Sequence, residues 1–227
     1  MKKKTFYREL SYVLGLLIMA FAAAFTEKAD FGMSMVVAPA YILHLKLSEF
    51  LPWFTFGVAE YAFQGVLVLV TVMVMGKFKL PYLFSFVTAV LYGTLLDLAM
   101  AIIVPLPAAS FGMRVLWYVL GTVFCSLAVS LFFHTYISPE AYELIVKEIS
   151  AKGNWNINKV KTAYDIFSTV LGIILSFSFF GFGVFEGVKW GTVICAVLNG
   201  FLIGRFSALL ERCFRFENKF SLERYFQ

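Results

Sequence analysis

The string Ala89-Val90-Leu91-Tyr92-Gly93 returns as Ala196-Val197-Leu198-Asn199-Gly200, each copy inside a long apolar run. Three further echoes precede the two copies in the same order. Leu14-Gly15 with Ala22 returns as Leu120-Gly121 with Ala128. Ala40-Tyr41-Ile42-Leu43 with Lys46 returns as Ala141-Tyr142-Glu143-Leu144 with Lys147, and Glu60 has Asp165 in the equivalent place. The offsets run from 101 (40 to 141) to 107 (89 to 196). One such match means little in so apolar a chain, but four in sequence order mark an internal duplication.

Composition sets the class. Of 227 residues, 61% are hydrophobic and 15% charged, and the mean hydropathy is +0.83. A water-soluble domain of this size has no way to bury so much apolar surface, whereas lipid removes the need. The chain reads as an integral membrane protein. Its net charge of +5 comes from basic residues dispersed at the ends of apolar runs. That is the footprint of membrane orientation and not of nucleic-acid binding. Cys125, Cys195 and Cys213 are odd in number and far apart, and His44 and His134 are isolated. This predicts no disulfide framework, no metal site and no cofactor.

Lys2, Lys3, Lys4 and Arg8 precede an apolar run over 10–26. A signal peptide has that form. The run matches 120–133, however, which makes it the first span of the repeat. Residues 33–45 are apolar, contain Pro39 and are too short to cross a bilayer, which takes roughly 20 residues. They are expected as a re-entrant half-helix starting near Ser34, its terminal amides facing a cavity, or as an interfacial helix. Further spans are expected over 53–76, 80–104, 112–134, 160–181 and 190–210. The stretch 135–159 reads as water-facing. Ser138 suits an N-cap and Pro139 the first helical turn, and Tyr142, Ile145, Val146 and Ile149 form an apolar stripe opposite Glu143, Lys147 and Glu148. A cytoplasmic amphipathic helix lying on the membrane near 139–151 is expected, with Gly153 as its stop. A basic tail with Arg212, Arg215, Lys219 and Arg224 follows.

With both termini in the cytoplasm, 15 of the 19 Lys and Arg fall on the inside, only Lys28, Lys46, Arg114 and Lys189 lying outside. This orients the chain N-in and C-in. Three spans per half is odd, so the second copy enters from the opposite side. The expected architecture is an all-α membrane protein, a single transmembrane domain over 1–227. It holds two inverted three-helix repeats, about 10–105 and about 112–211, a plan used by many secondary transporters.

Charges within hydrocarbon are costly, about 2.5–3.5 kcal/mol or more at a helix centre, so the few present are candidates for function. Glu60, Asp97 and Asp165 lie about 10, 12 and 9 Å inside their spans at 1.5 Å per residue. Gln64 is one turn beyond Glu60, and Tyr92 and Asn199 hold matching positions in the repeated string. A polar pathway lined by Glu60, Gln64, Tyr92, Asp97, Asp165 and Asn199 is expected, in which a carboxylate exchanges a proton or holds a cationic substrate. The structural alternative pairs Asp97 with Arg114, pairs Asp165 with Arg205 or Lys161, and makes Asn199 a link between helices; Glu60 has no evident basic mate. Gly200-x-x-x-Gly204 and Gly187-x-x-x-Gly191 offer close-packing faces, within the monomer or toward a second copy or an accessory membrane subunit.

Leu14-Gly15, Lys28-Ala29-Asp30-Phe31-Gly32, Phe56-Gly57 with Glu60, and Tyr92-Gly93 with Asp97 resemble the bacterial YczE/YitT-type integral membrane proteins. In the second half the signs are Asp165, Trp190-Gly191-Thr192 and Asn199-Gly200. The resemblance implies a small bacterial inner-membrane protein and supplies no reaction and no functional residues. The function expected is small-molecule transport by alternating access. The alternatives are a substrate-binding subunit like the S-components of vitamin importers, suggested by the Ala20-x-x-x-Ala24 spacing, and a non-transporting membrane scaffold. An enzyme is not expected, because no nucleophile–base or metal constellation is visible.

Overall fold

The structure, a computed structural model, describes residues 3–138 and 140–220, apart from the side chain of Asn158. Lys2, Pro139 and Arg224 lie outside the described residues. In chain order the elements are β1 (Lys4–Tyr7), α1 (Arg8–Ala29), α2 (Ala38–Leu47), α3 (Phe56–Met75), α4 (Leu80–Ile103), α5 (Phe111–Phe132), α6 (Ala141–Gly153), α7 (Ile157–Phe180), α8 (Trp190–Cys213) and β2 (Phe214–Glu217). Six of these helices, α1, α3, α4, α5, α7 and α8, are long and apolar enough to cross a membrane. The chain is an all-α, multi-pass membrane protein.

Local chemistry sets the ends of the spans. Thr55 accepts the Val58 amide at 3.2 Å and caps α3, which stops at Gly76 in the left-handed conformation (φ 66°). Ser110 caps α5 in the same way through the Met113 amide. Pro81 sits in the first turn of α4, where its missing N–H costs nothing. The two short strands pair in parallel, Lys4 opposite Phe214 and Tyr7 opposite Glu217, and bring the chain's two ends together. We call that end of the bundle the terminal face.

The centre is the long contact between α1 and α5, with α4 laid on α1 and α8 on α5. Small residues make this possible: Ala20, Ala22, Ala24 and Ala128 are fully or almost fully buried, and Gly121 meets the backbone of Ala22 and Thr26. The short helices bridge the halves. α2 packs on α3 and α7, and α6 packs on α7 and α3.

Two pairings lack a counterpart: α6 packs on α4 whereas α2 and α8 barely touch, and the larger difference is at α3. α3 lies along α4, whereas α7 and α8 barely touch. At the contact of α3 with α4, Gly57 and Gly93 bring two backbones together: a Cβ on Gly93 would stand 2.5 Å from the Gly57 carbonyl oxygen. Gly200, at the matching place in the repeated string, has open space where a Cβ would go.

The second short helix departs from the expected surface position. The expected stripe is present, but Leu144 and Glu148 are buried along with Tyr142, Ile145 and Val146. Its first residue, Ala141, donates its amide to Gln64 at 3.1 Å. Gln64 lies 8 residues after Phe56 and 11 before Met75, about 12 and 17 Å from the ends of α3. Just ahead of it, the Ser138 carbonyl accepts from Thr88, 8 residues into α4. The chain therefore turns back into the bundle after α5, and α6 climbs out from mid-depth toward the terminal face. Its N-cap is Glu140 and not Ser138, and the left-handed stop is Asn154 (φ 50°), one residue past Gly153. The physical reason is that Glu148 finds Lys79 and Tyr82, and the Ala141 amide finds Gln64, inside the bundle, so these polar groups do not need water.

α2 does the same from the opposite end. Ser34 starts a turn that leads into the helix at Ala38, and Ala38, Pro39, Ala40 and Ile42 are all buried. Among the described residues, each half thus consists of a span, a re-entrant half-helix and two further spans.

Candidate functional site

Glu60 and Gln64 follow each other by one turn on α3 and are both completely buried. Tyr142, in the first turn of α6, donates its hydroxyl to Glu60 Oε2 at 2.8 Å. The Gln64 amide nitrogen lies 3.3 Å from Glu60 Oε2 and 3.3 Å from Glu140 Oε2, so one NH2 group joins two carboxylates. Gln64 Oε1 is occupied by the Ala141 amide. The other oxygens of the pair, Glu60 Oε1 and Glu140 Oε1, are buried without a hydrogen-bond partner. Among the described residues no Lys or Arg forms an ion pair with either acid, Lys161 acting on Glu140 only from a distance. Buried charges are normally paired or solvated, and this pair has only neutral donors, Gln64 and Tyr142.

Tyr92, on α4, is 1% exposed and borders a separate cavity of about 20 Å³, room for a water or two. The cavity is bounded by Ala22 and Thr26 of α1, Ser34 and Val37 at the start of α2, Cys125 of α5 and Cys195 of α8. The start of the first half-helix therefore borders a cavity at the junction of the two halves, as its sequence suggested.

The remaining pathway candidates stand elsewhere. Asp97 accepts the Thr55 hydroxyl at 2.6 Å and the Gly57 amide at 2.8 Å, anchoring the first turn of α3 to α4. Arg114, its proposed mate, instead holds Asp30 at 2.9 Å and the Ala29 carbonyl at 2.8 Å. Asp165 forms an ion pair with Lys161, one turn earlier on α7, at 3.0 Å. Asn199 accepts from Ser126 at 2.9 Å and donates to Cys195 and Cys125, joining α8 to α5. Ala20 and Ala24 are fully buried, so their small-residue face is closed to an outside subunit.

Glu140 and Tyr142 were missed because the segment around them was read as a surface helix. The signal was available. Ala141-Tyr142 echoes Ala40-Tyr41, and the repeat places it in a half-helix of the kind expected for the first copy.

Where α6 leaves the bundle, Glu148 takes Lys79 on both oxygens at 2.7 Å and the Tyr82 hydroxyl at 2.8 Å. Burial alone would raise this carboxyl, but the bonds from Lys79 and Tyr82 outweigh it and hold it below the usual range. A carboxylate with a lowered folded value contributes stability at neutral pH and loses it as acid titrates the group below its ordinary value of about 4.3. Glu148→Gln should therefore cost about 1–2 kcal/mol at pH 7 and flatten the acid limb of the stability profile. Thermal unfolding of both proteins at neutral and acid pH checks this.

Comparison with known proteins adds little chemistry. No curated protein and no solved structure matches the chain. The model of one family, described as a family of unknown function (DUF6198), matches residues 6–208. With nearly all of its spans inside that match, the chain belongs to the DUF6198 family.

Proposed function

We propose that the protein is a small-molecule transporter of the bacterial inner membrane, N-in and C-in, working by alternating access between two inverted repeats and coupled to protons through its buried carboxylates. The observation that carries this reading is the exchange pattern of helix contacts. α1 on α4 is matched by α5 on α8, α2 on α3 by α6 on α7, and α2 on α7 by α6 on α3. Two matches are broken, α3 on α4 against α7 on α8, and α6 on α4 against α2 on α8. Inverted halves with one contact closed and its counterpart open are what a rocking mechanism requires of a single state. In the other state α7 would close on α8 at Gly200 while the contact of Gly57 with Gly93 loosens. The small cavity at Tyr92 is the occluded centre about which this movement occurs. The likeness to YczE/YitT-type proteins, and a role without enzymatic chemistry, belong to the same proposal. The S-component alternative is disfavoured by the burial of Ala20 and Ala24.

The movement is testable without knowing the substrate. Val170 on α7 and Val197 on α8 are exposed, and spin labels there report the spacing of the two helices. Two distance populations are expected in liposomes, one of them short, and Gly200→Leu should remove the short one without lowering thermal stability. A single long distance under all conditions would count against alternating access. Uptake currents from the protein alone in liposomes, screened over amino acids, vitamins, nucleosides and polyamines, would then identify the substrate.

A further inference from the structure

We propose that Glu60 and Glu140 together hold one exchangeable proton, and that its loss releases the N-terminus of α6 from α3. This rests on the transport reading and deepens it by naming the two residues that share the coupling proton and the part that it moves.

The donor count makes the case. Two carboxylates converge on one NH2 group and one phenol, which together offer three hydrogens. That satisfies one carboxylate; two charged ones in the same dry space would repel with most of their lone pairs empty. The two buried oxygens without partners, Glu60 Oε1 and Glu140 Oε1, are where a proton can sit. A hard metal ion needs about six oxygens. Here only those two are free, since Gln64 Oε1 is held by the Ala141 amide and the Tyr142 hydroxyl is donating. A proton needs only one.

The surroundings do not supply another counter-charge. On α6, Glu143 adds a further negative charge near Glu140. On α7, Lys161 is the nearest cation, but it is engaged by Asp165 at 3.0 Å and Glu143 at 3.8 Å. Tyr164 of α7 and Tyr12 of α1 face the pair as neutral phenols. So does Tyr92 of α4, and Cys125 of α5 faces Glu140 as a thiol. With one carboxyl protonated, Gln64 and Tyr142 serve the remaining carboxylate, and α6 stays seated. When that O–H gives its proton to water, both acids are charged and the Gln64 amide joins two like charges. Glu60 stands on α3 and Glu140 at the N-cap of α6, so their repulsion acts across the joint between the two helices, against the bonds of Tyr142 to Glu60 (2.8 Å) and of the Ala141 amide to Gln64 (3.1 Å) that seat α6. The start of α6 is then the part that moves.

Hydrogen–deuterium exchange of the full chain in nanodiscs, from about pH 5.5 to about 9.5 and corrected for intrinsic rate, tests this directly. Protection over 141–150 should fall at least tenfold in one transition as the pH rises. In Glu140→Gln and, independently, in Glu60→Gln the transition should vanish, with the segment protected throughout. The proposal is overturned if the native protein shows no transition, or if the transition persists in both amide variants. Transport is not part of the readout, so a negative result sinks the shared proton and leaves alternating access to the spin-label distances.

Discussion

Gly57→Ala should lower the melting temperature of the purified protein by about 10 °C or more, from a loss of about 3 kcal/mol. An added Cβ falls within van der Waals range of the Gly93 carbonyl oxygen and 2.7 Å from the Asp97 carboxylate. Neither obstacle is the movable tip of a long side chain. One is the backbone of α4, and the other is held by Thr55 and by the Gly57 amide itself. Relief therefore requires the helices to separate, which also strips the first turn of α3 of its acceptor. Gly200→Ala, in the matching copy of the contact, meets open space and should change stability by no more than about 0.5 kcal/mol. Differential scanning fluorimetry of the two variants side by side checks both halves of the argument. Equal effects would show that the α3–α4 crossing is no tighter than its counterpart.

Gly32→Ala should be comparably damaging, for a different reason. Gly32 has φ 106°, a region that a side chain enters only with strain of about 1–3 kcal/mol. Its Cβ would also stand 2.5 Å from Thr192 Oγ1 and 2.8 Å from the Lys189 backbone nitrogen. The position lies within a knot that joins the turn after α1 to the turn before α8. Met33 donates to the Gly187 carbonyl at 2.8 Å, Gly191 donates to the Phe31 carbonyl at 2.9 Å, and Tyr118 of α5 reaches the Gly191 carbonyl at 2.6 Å. Lys189 and Arg114 both close on Asp30. Because, among the described residues, α8 otherwise packs mainly on α5 and β2, loosening the knot should free its N-terminal end. The expected result is a melting temperature lowered by about 10 °C and rapid proteolysis over 181–189. Gly112→Ala, where nothing lies within 4 Å, serves as the neutral control.

These two sites show how legibility was divided. The string Lys28 to Gly32 was visible as a pattern, yet nothing near it in the chain explains why Gly32 must lack a side chain. Its constraint comes from a φ of 106° that the fold imposes and from Lys189 and Thr192, about 160 residues away, which only folding brings near. Asp97 and Asn199 were readable as polar groups in apolar runs, but the same reading fits a transport site and a helix anchor. What the sequence could not show is their partners: Thr55 and Gly57 of α3 for Asp97, and Ser126 of α5 for Asn199. Glu60 was found as a charge inside an apolar run, and Gln64 because one turn of helix separates it from Glu60. Glu140 was passed over because its local sequence is equally good at a helix start in water.

The sequence by itself determined the class, the six spans and their ends, and the existence of a short helix in each half. Those properties depend on apolar length, capping residues and composition, which act over a few turns of chain. Only the tertiary structure decided that α6 begins at mid-depth, that two acids meet at Gln64, and that α3 closes on α4 while α7 stands off α8. Those facts depend on which surfaces touch across the bundle. In lipid, where apolar faces are satisfied almost anywhere, contact is decided by close backbone approach and by buried polar partners, and neither is written in any one segment.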